Sequence, residues 1–116
     1  MTNRVLSDEE RELLLRIIKE SDVGAEQARS QVAVAHYAGP SHTGTDQCFD
    51  IHVDGEVELV PGPDGPRFGL VVYTDDEPTG TVDLWVAAGR LSSFEYSWFT
   101  EDEPKRLPFL HELRDQ

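Results

Sequence analysis

Apolar residues in "LSDEERELLLRIIKESDVG" recur at Leu13, Leu14, Ile17 and Ile18, the spacing of a helix with one apolar stripe. Ser7 stands where an N-cap belongs, and Glu10 follows three residues later to close a capping box. Asp8, Glu9 and Glu10 suit the positive end of the helix dipole, Leu6 precedes the cap, and Gly24 is the stop. A second short helix is predicted over Ala25–Gln31 from composition, with a weak apolar face, followed by a strand from Val32 to Ala38. "GPSHTGTD" reads as a loop.

The pattern then changes from period 3.6 to period 2. In "QCFDIHVDG", Phe49, Ile51 and Val53 point one way, while Cys48, Asp50 and His52 share the wet face. Asp54-Gly55 begins a turn, "EVELV" is a short edge strand after it, and the prolines of "PGPDGP" forbid regular structure. "RFGLVVYT" is a strand and "DDEPTG" an acidic connection. "TVDLWVAA" is a strand with Val82, Leu84 and Val86 on one face. A tight turn at Gly89-Arg90 leads into "LSSFEYSWF", whose alternation puts Phe94, Tyr96 and Trp98 on one face and Ser93, Glu95, Ser97 and Phe99 on the other. The tail is broken by proline and ends in one helical turn over Phe109 to Leu113. Helix first and strands after, joined by short turns, predict one α+β domain over residues 1–116. In it the N-terminal helix packs on one face of an antiparallel sheet of about five strands, the last three a meander ending in a β-hairpin.

A chain of 116 residues can bury a core without staples. Its single cysteine, Cys48, excludes an internal disulfide and points to a reducing compartment. The opening stretch carries acids where a secretory signal needs an apolar run, so a cytoplasmic protein is expected, with no membrane segment. Twenty-three acids against ten bases give a formal charge of -13. That field repels nucleic acid and anionic lipid and attracts basic partners, although such charge also serves solubility alone.

Little in the chain carries reaction chemistry. His36, His42, Cys48 and His52 lie within seventeen residues, with Asp46 and Asp50 among them, and zinc accepts all these ligands. Their spacing matches no paired-ligand motif, so no metal or other cofactor is assigned. Cys48 lacks the electropositive setting that a reactive thiolate needs. The acidic runs Asp75-Asp76-Glu77 and Glu101-Asp102-Glu103 both end on proline, as solvated loops do, while Glu95 lies inside a strand. General acid–base work requires a carboxylate that is desolvated or paired. No catalytic residue is assigned.

The aromatics of the last strand remain. Phe94 belongs to the core. Tyr96 and Trp98 stand beside an acidic run, and such residues are enriched at protein interfaces. Trp85, on the neighbouring strand, would extend the patch. The segments "EQARSQVAVAHYAG", "SHTGTDQCFDIHVDG" and "VAAGRLSSFEYSWFTEDEPKRLP", within residues 25–108, resemble a set of small uncharacterised bacterial α+β proteins. Some of these resemble immunity proteins of polymorphic toxin systems, which block toxins by binding them. Relatives carry paired cysteines in the Gly-rich loop; here Cys48 stands alone with His42 nearby. The resemblance implies a non-enzymatic inhibitor of a cationic toxin, either a nuclease or a nucleotide-using enzyme. Asp75, Asp76, Glu77, Trp85, Tyr96, Trp98, Glu101, Asp102 and Glu103 would bind that basic partner. Two alternatives stay open: a metal-binding or enzymatic domain using His36, His42, Cys48 and His52, and a module that dimerises through an edge strand at 57–60 or 32–38.

Overall fold

The computed structural model describes residues 3–41 and 47–115. The elements in chain order are β1 (Arg4–Val5), α1 (Asp8–Ile17), α2 (Ala25–Val32), β2 (His36–Pro40), β3 (Phe49–His52), β4 (Gly65–Thr74), β5 (Glu77–Ala87), β6 (Arg90–Trp98), a single 3₁₀ turn (Leu110–Glu112) and β7 (Leu113–Arg114). The strands form one open antiparallel sheet in the order β1-β2-β3-β6-β5-β4-β7. The α+β class and the β4-β5-β6 meander match the pattern read from the chain. Seven strands stand where about five were expected, because two-residue strands too short to show alternation close both edges.

The stripe of α1 and the inner face of α2 pack with Leu70, Val72, Val82, Leu84, Val86 and Phe94 into one core. Burial of such side chains contributes about 25 cal/mol per Å² of apolar surface removed from water. The predicted capping box forms: the Glu10 N–H donates to Ser7 Oγ at 3.1 Å, and the Ser7 N–H donates to Glu10 Oε1 at 2.8 Å. Arg4 then grips both Glu10 oxygens at 2.9 and 2.8 Å. Among the described residues, no helix is long and apolar enough to cross a membrane.

Four local expectations are corrected. The strand predicted from Val32 begins only at His36, because Val32 completes the buried face of α2 with Ala25 and Ala28. "EVELV" forms no strand; Val60 is buried and its N–H donates to the Gly89 carbonyl at 2.8 Å, so the segment is tied to a turn. Of the two edge strands proposed for dimerisation, 57–60 is no strand, and 32–38 is strand only from His36, where β1 pairs with His36 and Tyr37. Cys48 leaves the wet face: it precedes β3 and is buried. Its Sγ accepts the Tyr96 N–H at 3.3 Å and lies 3.6 Å from the Tyr96 carbonyl. The β3–β6 ladder ends at Phe49 opposite Phe94, and the thiol takes up backbone groups beyond that end.

The fourth correction concerns the turns. "DDEPTG" shrinks to a two-residue turn at Asp75-Asp76, both at positive φ, flanked by the pair Thr74–Glu77. The β5–β6 turn is Ala88-Gly89, one residue earlier than expected, flanked by Ala87–Arg90. Two central residues at positive φ give the turn whose twist matches paired strands. A Cβ on Gly89 would lie 2.7 Å from Leu59 Cβ, so both conformation and space require glycine there. In β6 the register slips between Trp85–Ser93 and Val86–Leu91. The extra residue lets Leu91 and Phe94 both face the core although they are three apart.

Gln31 is the one fully buried polar side chain in the helices, at 0% exposure. Its Nε2 donates to the carbonyls of Glu58 and Gly89 at 2.8 and 2.9 Å, and its Oε1 accepts the Leu91 N–H at 2.9 Å. One side chain thereby joins α2, the 57–60 segment and the β5–β6 turn. Gln31→Leu keeps the volume but orphans the buried Leu91 N–H and weakens the hold on the other two. We expect a loss of roughly 2–4 kcal/mol from such unpaired groups. Urea unfolding beside the exposed control Glu26→Ala measures it; a Gln31→Leu midpoint equal to the control's would refute the clasp.

Candidate interaction site

The sheet has two unlike faces. Helices cover the one holding Phe94 and Tyr96. Asp83, Trp85 and Glu95 project from the other, in register pairs Asp83–Glu95 and Trp85–Ser93. Burial first, then the charge of Glu95, pushes the Asp83 carboxyl above its ordinary range. Trp98 stands opposite Gly80 on the helix side, so Trp85 and Trp98 lie on opposite faces. Trp85 therefore does not extend the patch expected around Trp98.

At one end of the sheet, three pieces of chain meet. Gly80 opposite Trp98 and the Phe99 N–H donated to the Thr79 carbonyl at 2.8 Å bring the end of β6 to the start of β5. The Asp75-Asp76 tip lies at that same end. The segment 100–112 then closes over it. A cleft of about 450 Å³ opens between them, with Tyr96 and Trp98 from β6, Thr74 and Thr79 from the hairpin, and Asp102 and Arg106 from the closing segment among its walls.

The closing segment is held by charge. Arg106 donates to Glu112 through both nitrogens at 3.0 and 3.3 Å, and its guanidinium lies 3.7 Å from the Phe109 ring centre. The Phe109 N–H also donates to Glu112 Oε1 at 2.8 Å. Gln47 Nε2 reaches the Pro104 carbonyl at 3.3 Å. Tyr96 is only 8% exposed. Burial, then Glu112, raises its hydroxyl pKa against an opposing pull from Arg106.

Of the nine expected binding residues, Tyr96, Trp98 and Asp102 line the cleft. Glu101 and Glu103 flank Asp102 in sequence, and Asp75, Asp76 and Glu77 form the neighbouring tip. Asp76 is partly neutralised by Arg114 at 2.8 Å. Phe99, the residue after Trp98 in sequence, is 63% exposed but is not among the residues lining the cleft. Arg106, Glu112, Thr74 and Thr79 were not foreseen. Arg106 and Glu112 are six residues apart in an irregular, proline-broken stretch, where no periodicity announces a pair.

Among the described residues, the histidine and cysteine group is not brought together as a site. His36 and His52 are register partners across β2 and β3, and His52 Nε2 lies 3.1 Å from Asp54. Cys48 is turned inward, while His42 and Asp46 lie outside the described residues. Among the described residues, no three His, Cys, Asp or Glu side chains could share a metal ion. No protein-family model, curated protein or solved structure matches the chain.

The Arg106 guanidinium, opposed by burial, holds the Glu112 carboxyl below its ordinary value, with the Phe109 N–H assisting. A carboxylate with a lowered folded pKa stabilises above its unfolded pKa, and that stabilisation fades as pH falls through the folded value. The clasp is thus intact at pH 7 and fails only in acid. We expect an NMR titration of the Glu112 carboxyl to give a midpoint under the ordinary value of about 4.3. Arg106→Ala should move the midpoint upward; an unmoved midpoint would show that Arg106 does not hold this carboxylate.

Proposed function

We propose that this protein is a non-enzymatic binding protein that inhibits a cationic toxin, in the manner of an immunity protein, through the end of the sheet around Trp98. The observation carrying this reading is an aromatic-walled cleft with Asp102 in its wall, at the end of the sheet where the Asp75-Asp76 turn also lies. Trp and Tyr anchors within a polar rim are the usual anatomy of a protein interface. A net charge of -13 adds long-range attraction for a basic partner, so association is fast and sensitive to salt. The partner is a basic protein, and neither nucleic acid nor a membrane surface fits this field.

Immobilised protein should retain a basic partner from a lysate of the source cells at low salt and release it at high salt. Expression of that partner alone should be toxic, and co-expression of this chain should relieve it. Glu101→Gln/Asp102→Asn/Glu103→Gln should slow association and flatten its salt dependence. Trp98→Ala should weaken binding by about 30-fold or more, the equivalent of roughly 2 kcal/mol at an anchor. Unchanged retention by both variants, or a partner that is not basic, would refute the proposed interface.

A further inference from the structure

The fold repeats one local arrangement three times. Arg4 lies 4.0 Å from the Tyr37 ring centre while gripping Glu10. Arg106 lies 3.7 Å from the Phe109 ring centre while gripping Glu112. Arg114 lies 4.5 Å from the Tyr73 ring centre while gripping Asp76. In each, a ring and a carboxylate hold one guanidinium between them. The physics is general: a planar, weakly hydrated cation stacks on a ring and still presents its edge to a carboxylate.

The cleft contains the same two parts without the third. Trp98 offers a half-buried indole, the strongest of the ring partners for a cation. Asp102 lines the same cleft, and its carboxylate has no ion pair among the described residues. No guanidinium stacks on Trp98 among the described residues. Arg106, on the wall of the cleft, is committed to Glu112. Thr74, Thr79 and Thr100 add hydroxyls that can accept from the remaining N–H groups. The volume of about 450 Å³ has room for a long, unbranched side chain.

We propose that the Trp98–Asp102 cleft is a socket for an arginine side chain presented by the basic partner. This rests on the interface reading above and specifies its anchor. Lysine is the poorer fit, because its ammonium is strongly hydrated and cannot stack and fork at once. Lys105, on the wall of the cleft, has no carboxylate partner among the described residues and opposes an incoming cation. Lys105→Ala should therefore tighten binding slightly.

The test uses the intact chain, hexa-arginine and hexa-lysine peptides at low salt, and ¹⁵N-resolved NMR of the two indole N–H groups. Hexa-arginine should bind at least 5-fold more tightly than hexa-lysine. It should shift the Trp98 indole signal and leave that of Trp85 in place. Asp102→Asn, at an exposed position where folding is not at stake, should bring hexa-arginine down to the hexa-lysine level. Equal affinity for the two peptides, or an arginine preference that survives Asp102→Asn, would overturn the socket while leaving the acidic interface standing. Failure of both peptides to bind would overturn the socket and the interface together.

Discussion

The structure depends on the side chain of Gln31. Helices and sheet edges can hold themselves by apolar contact, which is strong but indifferent to register. The three hydrogen bonds of Gln31 are not indifferent. They fix α2 against the β5–β6 turn and draw the 57–60 segment onto the same point. The Gly89 carbonyl accepts from both Gln31 and Val60, so the turn, the helix and the crossing segment are locked to each other. A fully satisfied buried amide of this kind selects one arrangement among many that would bury similar area. The β5–β6 hairpin set by that lock is the frame that carries Trp98 at its far end.

Charge is distributed by the same logic of satisfaction. Where a carboxylate is drawn towards the interior, as at Glu10, an arginine and backbone donors meet it and keep it ionised despite burial. Where no partner is supplied, the acids sit mostly on exposed helix faces, as Glu12 and Glu26 do, or at turns and loop tips, where water screens them. The Asp83–Glu95 pair is the exception within the sheet, and burial together with mutual repulsion raises Asp83. Such like-charge neighbours are disfavoured across strands. The helix-free side of the sheet mixes such acids with Trp85, Val71 and Tyr73, whereas the cleft end combines unpaired acids with aromatic surface.

Much of the fold was legible in the chain because its signals were periodic. The α1 stripe, its capping box, the inward Phe49-Ile51-Val53 set and the β4-β5-β6 meander all follow from spacing. The misreadings cluster where a residue acts against its type. Gln31 counts as polar in any pattern, so α2 looked weakly amphipathic and its end was placed too early. Cys48 continues the alternation in sequence but not in space, because β3 begins only one residue after it and the thiol serves the Tyr96 backbone instead.

By itself the sequence determined the class of fold, the face each regular strand turns to the core and the strength of the negative field. Those depend on local periodicity and on composition, which need no knowledge of neighbours. Only the tertiary structure decided that the Asp75-Asp76 turn lies at the same end of the sheet as Trp98 and that Arg106 meets Glu112 beside a cleft. These outcomes rest on strand order and the path of an aperiodic segment. The first is fixed by pairing between residues far apart in the chain, and the second by an irregular stretch whose path no periodicity announces.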